Sequence, residues 1–198
     1  MKQTPLFLII TILLFSTACA QDYPLQSALM GVKGGANFST VYSENIDDLD
    51  FRTDFYAGLA VEAMLTDKFG FQVEAFYSRQ GFKSNESLQT EKIAVKIDYI
   101  QFPILAKAYL LEGLNIQGGI QLGFKIDEEV NNRLLANDVD PELDAIRNFD
   151  FQLASGIEYK FKNGFFIQAR YSYGLSEIID DLEVYSSVLS VGVGFMIY

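Results

Sequence analysis

Histidine and tryptophan are missing from this chain, and its one cysteine is Cys19. The lack of histidine excludes Ser-His-Asp and Cys-His nucleophilic catalysis and every His-ligated metal centre. It also argues against the His-dependent lipases and proteases built on membrane barrels. Bases are scarce too: 15 Lys and Arg stand against 26 Asp and Glu, a formal charge of −11. That balance carries no nucleic-acid footprint. Glycine pairs occur at Gly34-Gly35 and Gly118-Gly119, but neither leads into a helix or a lysine, so they are not phosphate loops. No long apolar run follows residue 20, so a crossing by helix is excluded and a membrane location requires a closed β-barrel.

The first 20 residues read as a cleaved secretory signal. Lys2 supplies the positive start, Leu6 to Phe15 the apolar stretch, and Ala18-Cys19-Ala20 the small-residue cleavage pattern. The apolar stretch is too short to span a bilayer. Cleavage after Ala20 leaves residues 21–198 as one domain and takes the charge from −11 to −12, because Lys2 departs. Cys19 has a rival reading as a lipidated residue. Such signals place Leu three residues before the Cys, where Ser16 stands. With Cys19 removed no disulfide is available.

Residues 99–126 set the pattern for the rest. Ile100, Phe102, Ile104, Ala106, Ala108 and Leu110 share one parity, while Gln101, Lys107 and Tyr109 share the other. After Leu111-Glu112-Gly113, Leu114 to Ile126 alternate again between apolar and polar or small. Alternate side chains of a strand point to opposite faces, so this is an antiparallel hairpin with one greasy face. The same alternation predicts strands over 29–41, 54–65, 69–80, 149–161, 165–175 and 187–198. Connections run long, short, long, short, long, short, long. The expected fold is therefore all-β: an eight-stranded antiparallel up-and-down transmembrane β-barrel with short periplasmic turns and long extracellular loops. Phe and Tyr gather near strand ends, as interface girdles do.

A soluble or lipid-anchored binding barrel would also alternate, with its apolar face inward. About 48 strand positions fall on the apolar parity and none is charged, where average composition would place about 10 charges. An eight-stranded barrel holds on the order of 12 to 20 large side chains inside, so that face must lie outside. A two-sheet sandwich would bury more of it. The other parity, rich in Gly, Gln, Asn and Ser, is then the lumen. Its charged members are Lys33, Asp54, Glu62, Glu74, Lys107, Lys125, Asp150, Glu158 and Arg170. Buried charges require partners, so they are expected to form an ionic network across the bore. That network reads as a plug, or alternatively as a narrow gated or proton-conducting path. Acid–base work by Glu62, Glu74 and Glu158 would need a pocket that the pattern does not indicate. Pro103 cannot donate a ladder hydrogen bond, which predicts a bulge or local break there, on the lumen face.

The net charge lives in three long loops. Residues 42–52 carry −3, 127–148 carry −5 and 176–183 carry −4. Asp138, Asp140, Glu142 and Asp144 alternate like calcium ligands, but the stretch lacks the glycine and the final glutamate of a calcium loop. The better reading is a helix cap at Asp140 with Pro141 in the first turn, surrounded by solvated charge. No cofactor and no catalytic residue is expected.

Several stretches carry a family resemblance. They are Gly31-Val32-Lys33-Gly34-Gly35-Ala36-Asn37-Phe38-Ser39, Phe71-Gln72-Val73-Glu74-Ala75-Phe76-Tyr77-Ser78-Arg79-Gln80-Gly81, Asp98-Tyr99-Ile100-Gln101-Phe102-Pro103-Ile104-Leu105-Ala106-Lys107, Ala169-Arg170-Tyr171-Ser172-Tyr173-Gly174-Leu175 and Val191-Gly192-Val193-Gly194-Phe195. Together they resemble the PorT-like outer-membrane β-barrel proteins of the Bacteroidota, often grouped as a porin family. The resemblance implies an integral barrel of the Gram-negative outer membrane, in contact with its lipid and with the barrel assembly machinery. It implies no activity. The namesake assists secretion of other proteins, so an extracellular or secretion-system partner is a further expectation. Family members usually end on a lipid-facing aromatic; here Ile197 has that parity and Tyr198 lies one residue beyond, which leaves recognition to Phe195 and its neighbours. N-terminal sequencing of protein from the outer-membrane fraction is expected to begin at Gln21. A chain that begins at an acylated Cys19 would establish the anchored alternative.

Overall fold

The computed structural model describes residues 27–43, 49–84, 94–131, 147–179 and 182–197. Within them run eight strands: β1 (Ser27–Ser43), β2 (Leu49–Met64), β3 (Phe69–Ser84), β4 (Ala94–Tyr109), β5 (Leu114–Asn131), β6 (Phe149–Lys160), β7 (Phe165–Ile179) and β8 (Leu182–Ile197). They form a closed antiparallel barrel in sequence order, with β1 paired to β8 from Met30↔Ile197 to Ser43↔Val184. The expected leader (residues 1–20) and the acidic run Asp138, Asp140, Glu142 and Asp144 lie outside the described residues.

The short turns fall where alternation breaks. Phe161 N–H donates to Phe165 O at 2.8 Å and Leu110 N–H to Leu114 O at 2.9 Å, closing two of them. Gly113 and Gly164 sit in these turns at φ +83° and +88°, a region that favours glycine. At the opposite end most strands run longer than expected; β4 starts at Ala94 and β5 reaches Asn131. There the ladder outlasts the apolar pattern, because pairing continues where polar side chains meet water. Lys96, for example, faces Glu129 across β4 and β5 at 2.6 Å.

The apolar parity faces outward on every strand. Val32, Leu59, Val73, Phe102, Ile120, Leu153, Ile167 and Val193 are all exposed on the barrel wall. This overturns the inward-facing soluble barrel and the two-sheet sandwich: the buried charges lie inside and the continuous greasy face is outside. Aromatic rings stack along the wall near its turn end, where Tyr159–Phe161 and Phe161–Phe165 centroids lie 4.8 and 5.7 Å apart. Arg79, at the loop end of the outer face, lies 5.3 Å from the Phe55 ring centroid and pairs with Asp98 at 3.0 Å.

At Pro103 the ladder breaks without a bulge. β3 pairs β4 at Val73↔Ile104 and again at Phe76↔Gln101, in unchanged register, with no partner pair between. On its other side Pro103 faces Gln121 of β5. The bulge lies instead at Asp98/Tyr99, nearer the loops. Closure on both sides keeps the register while the missing N–H removes only local bonds.

Leu153 sits partway up the apolar wall between Ile120 and Tyr173. Leu153→Arg is expected to destabilise the barrel by about 2–4 kcal/mol and Leu111→Arg, in a turn, by about 0–1 kcal/mol, as read by denaturant unfolding in lipid vesicles.

Candidate functional site

Strand parity delivers the lumen. Because alternate residues of each strand point inward, Lys33, Glu62, Glu74, Lys107, Glu158 and Arg170 all meet there, and all are buried. Glu74 is the hub of one half. Its carboxylate accepts from Lys33 Nζ at 2.7 Å and from both Arg170 terminal nitrogens at 2.7 and 2.6 Å. Glu62 is the hub of the other, accepting from Lys107 Nζ at 2.8 Å and from Lys160 Nζ at 2.6 and 2.7 Å. Tyr109 also donates its hydroxyl to Glu62. Lys107 reaches Glu158 at 2.7 Å and Gln72 Oε1 at 2.8 Å. Gln72 in turn donates to Glu74 and links the two halves. Asn115 donates to Glu158 at 3.1 Å.

The structure separates the remaining expected members from this centre. Asp54 pairs with Arg52, Lys125 with Glu128 at 2.7 Å, and Asp150 is held by Gln152, Ser176 and Ser186 at 2.6, 3.1 and 2.9 Å. The reason is height. Asp150 precedes Glu158 by eight positions on one strand, or about 26 Å at about 3.3 Å per residue. Parity assigns a face and says nothing of height. Conversely, Lys160 belongs to the centre and was not among the expected members. Its parity matches Glu158, and it was legible as the next inward position of β6.

Two apolar layers accompany the network inside the bore. Toward the loops, Val41, Val95, Ile97, Tyr99, Ile178 and Val184 form a buried cluster with Phe82 against it. Toward the turns, Leu29, Ala60, Phe166 and Met196 form another on one side of the lumen. Glycine makes room for it: a Cβ on Gly194 would stand 2.2 Å from Phe166 Cζ. The other side of the turn end is open. A cavity of about 550 Å³ reaches in to Glu62, Tyr109 and Lys160, between Leu29, Met64 and Phe161.

No catalytic constellation appears among the described residues: every carboxylate of the centre is locked to cations. No group of three or more metal-ligating side chains is found among the described residues either.

A closed eight-stranded wall, apolar outside and ionic within, defines an integral outer-membrane barrel. The chain belongs to the outer membrane protein beta-barrel domain family, whose model matches residues 19–180. Its place is the outer membrane. A search of curated proteins gave no match. Among solved structures the chain is similar to Ail, the attachment invasion locus protein of Yersinia pestis, at 15% identity and a TM-score of 0.53, covering 86% of this chain and 99% of that one. Neisserial surface protein A matches at 15% identity and TM-score 0.55, over 85% of this chain and 98% of that one. OprG of Pseudomonas aeruginosa matches at 15% identity and TM-score 0.50, over 87% and 97%. At these identities the likeness speaks for the fold alone.

Removing one member of a buried ion network leaves its partners uncompensated. Glu74→Ala, which strands Lys33 and Arg170, is expected to cost about 3–5 kcal/mol in denaturant unfolding. Lys162→Ala, at the exposed pair with Glu112, should leave the midpoint unchanged.

Proposed function

We propose that this protein is a non-enzymatic, non-conducting barrel whose lumen is plugged and whose role is structural and interactive at the cell envelope. The observation that carries this reading is the continuous ionic network from Lys33 to Lys160, covered toward the loops by the Tyr99 layer. An eight-stranded bore is narrow to begin with, and here side chains fill it. With the short turns periplasmic, the long acidic loops face outside, where they would repel anionic surfaces and receive a partner by charge. Residues 1–20 serve as the cleaved leader in this reading. The closing strand with Phe195 and Ile197 presents the chain to the assembly machinery. The PorT-like resemblance makes a secretion-accessory role the natural partner hypothesis, with the barrel as membrane anchor.

A narrow channel is the second reading. It is favoured by the cavity that enters from the turn end as far as Lys160, and it would continue past Lys107, Glu74 and Arg170. Planar-bilayer recording separates the two. The expected result is no steady current from the intact barrel. Steady currents abolished by Arg170→Ala would defeat the plug.

A further inference from the structure

We propose that the turn-end cavity is a binding site for a small carboxylate with a short apolar body, entering from the periplasm and held by Lys160. Four cations meet in the lumen centre, Lys33, Lys107, Lys160 and Arg170. Only three carboxylates, Glu62, Glu74 and Glu158, contact them among the described residues. With all seven groups ionised, the centre holds one more cation than carboxylates, in a place where an unbalanced charge is costly. Asp150 does not correct this, since neutral donors hold it.

Lys160 is the cation that meets the cavity. Its side chain is 8% exposed, against 0% for Lys33 and Lys107 and 2% for Arg170. Two of its three protons go to the same carboxylate, at 2.6 and 2.7 Å, and one to Tyr109 at 2.8 Å. That double contact is redundant. Glu62 keeps Lys107 at 2.8 Å and the Tyr109 hydroxyl when one Lys160 proton turns away. An arriving carboxylate thus takes a donor without orphaning Glu62, and its charge brings the centre to balance.

The walls specify the rest of the ligand. Leu29, Met64, Leu110, Leu111 and Phe161 line the way in; the mouth is charge-balanced, with Asp67 and Lys68 on one turn and Lys162 paired to Glu112 at 2.9 Å, so the selective cation is Lys160 inside. At about 550 Å³ the space lies within the range of small-molecule sites, about 300–1,000 Å³. The apolar layer above the network means that the site is blind: a ligand enters and leaves by the turn end. The proposal shares the plugged lumen with the functional reading but not its acidic rim, and conductance and binding are read separately.

The test uses the full barrel in lipid nanodiscs, titrated by calorimetry with 4-phenylbutyrate and with the matching alcohol, 4-phenylbutan-1-ol, against empty discs. Saturable binding of the carboxylate, weakened at least tenfold in Lys160→Gln, is expected. Leu111→Asp, which places an acid at the exposed mouth and leaves the buried network untouched, should weaken it as well. It serves if Lys160→Gln does not assemble. Equal binding of the alcohol, carboxylate uptake no greater than by empty discs, or affinity unmoved by either variant would overturn the proposal.

Discussion

Everything in this molecule depends on one hydrogen-bonding requirement. A strand inside hydrocarbon has no water to satisfy its backbone, so the sheet must close on itself. The β1–β8 ladder does this, and it fixes much else. Closure demands up-and-down order and strands long enough to cross at a tilt. It demands that every outward side chain be compatible with lipid. The run of charge-free apolar positions follows from that demand, and so does the placement of Arg79, whose charge is tolerated only at the loop end beside Asp98 and over Phe55.

Closure with eight strands also creates a narrow bore that must be filled. The chain fills it in layers: apolar side chains at the loop end, a glutamine and serine layer around Asp150, then the two carboxylate hubs. Glu74 and Glu62 each hold two cations, and Gln72 joins them. Such a network costs desolvation on both sides and is repaid only when the pairing is near complete. The centre has four cations to three carboxylates, and Lys160, which shares Glu62 with Lys107, is the one of the four that lines the turn-end cavity. Fold, plug and candidate binding site are thus consequences of the same inward parity.

The strand count, the two faces and the short turns were legible in residue order because they are set by a period of two and by local turn chemistry. Lys33, Glu62, Glu74, Lys107, Glu158 and Arg170 were legible as inward-facing for the same reason. The loop-end extensions of the strands were not, since beyond the lipid both polar and apolar residues can pair. Val95 and Ile97, lumen-facing and apolar, run against the polar-inside pattern; their role follows only from facing Val41, Ile178 and Val184 across the bore.

Sequence by itself determined which face each side chain takes, and through composition it determined which face meets lipid. Tertiary structure decided which charges touch. Register across eight ladders sets the height of each inward residue, and height separates Asp54, Lys125 and Asp150 from the centre while bringing Lys160 into it. Register also decided that Pro103 interrupts pairing without shifting it, because ladders on both sides hold β4 in place. Periodicity is a property of one strand; contact across a closed barrel is a property of all eight.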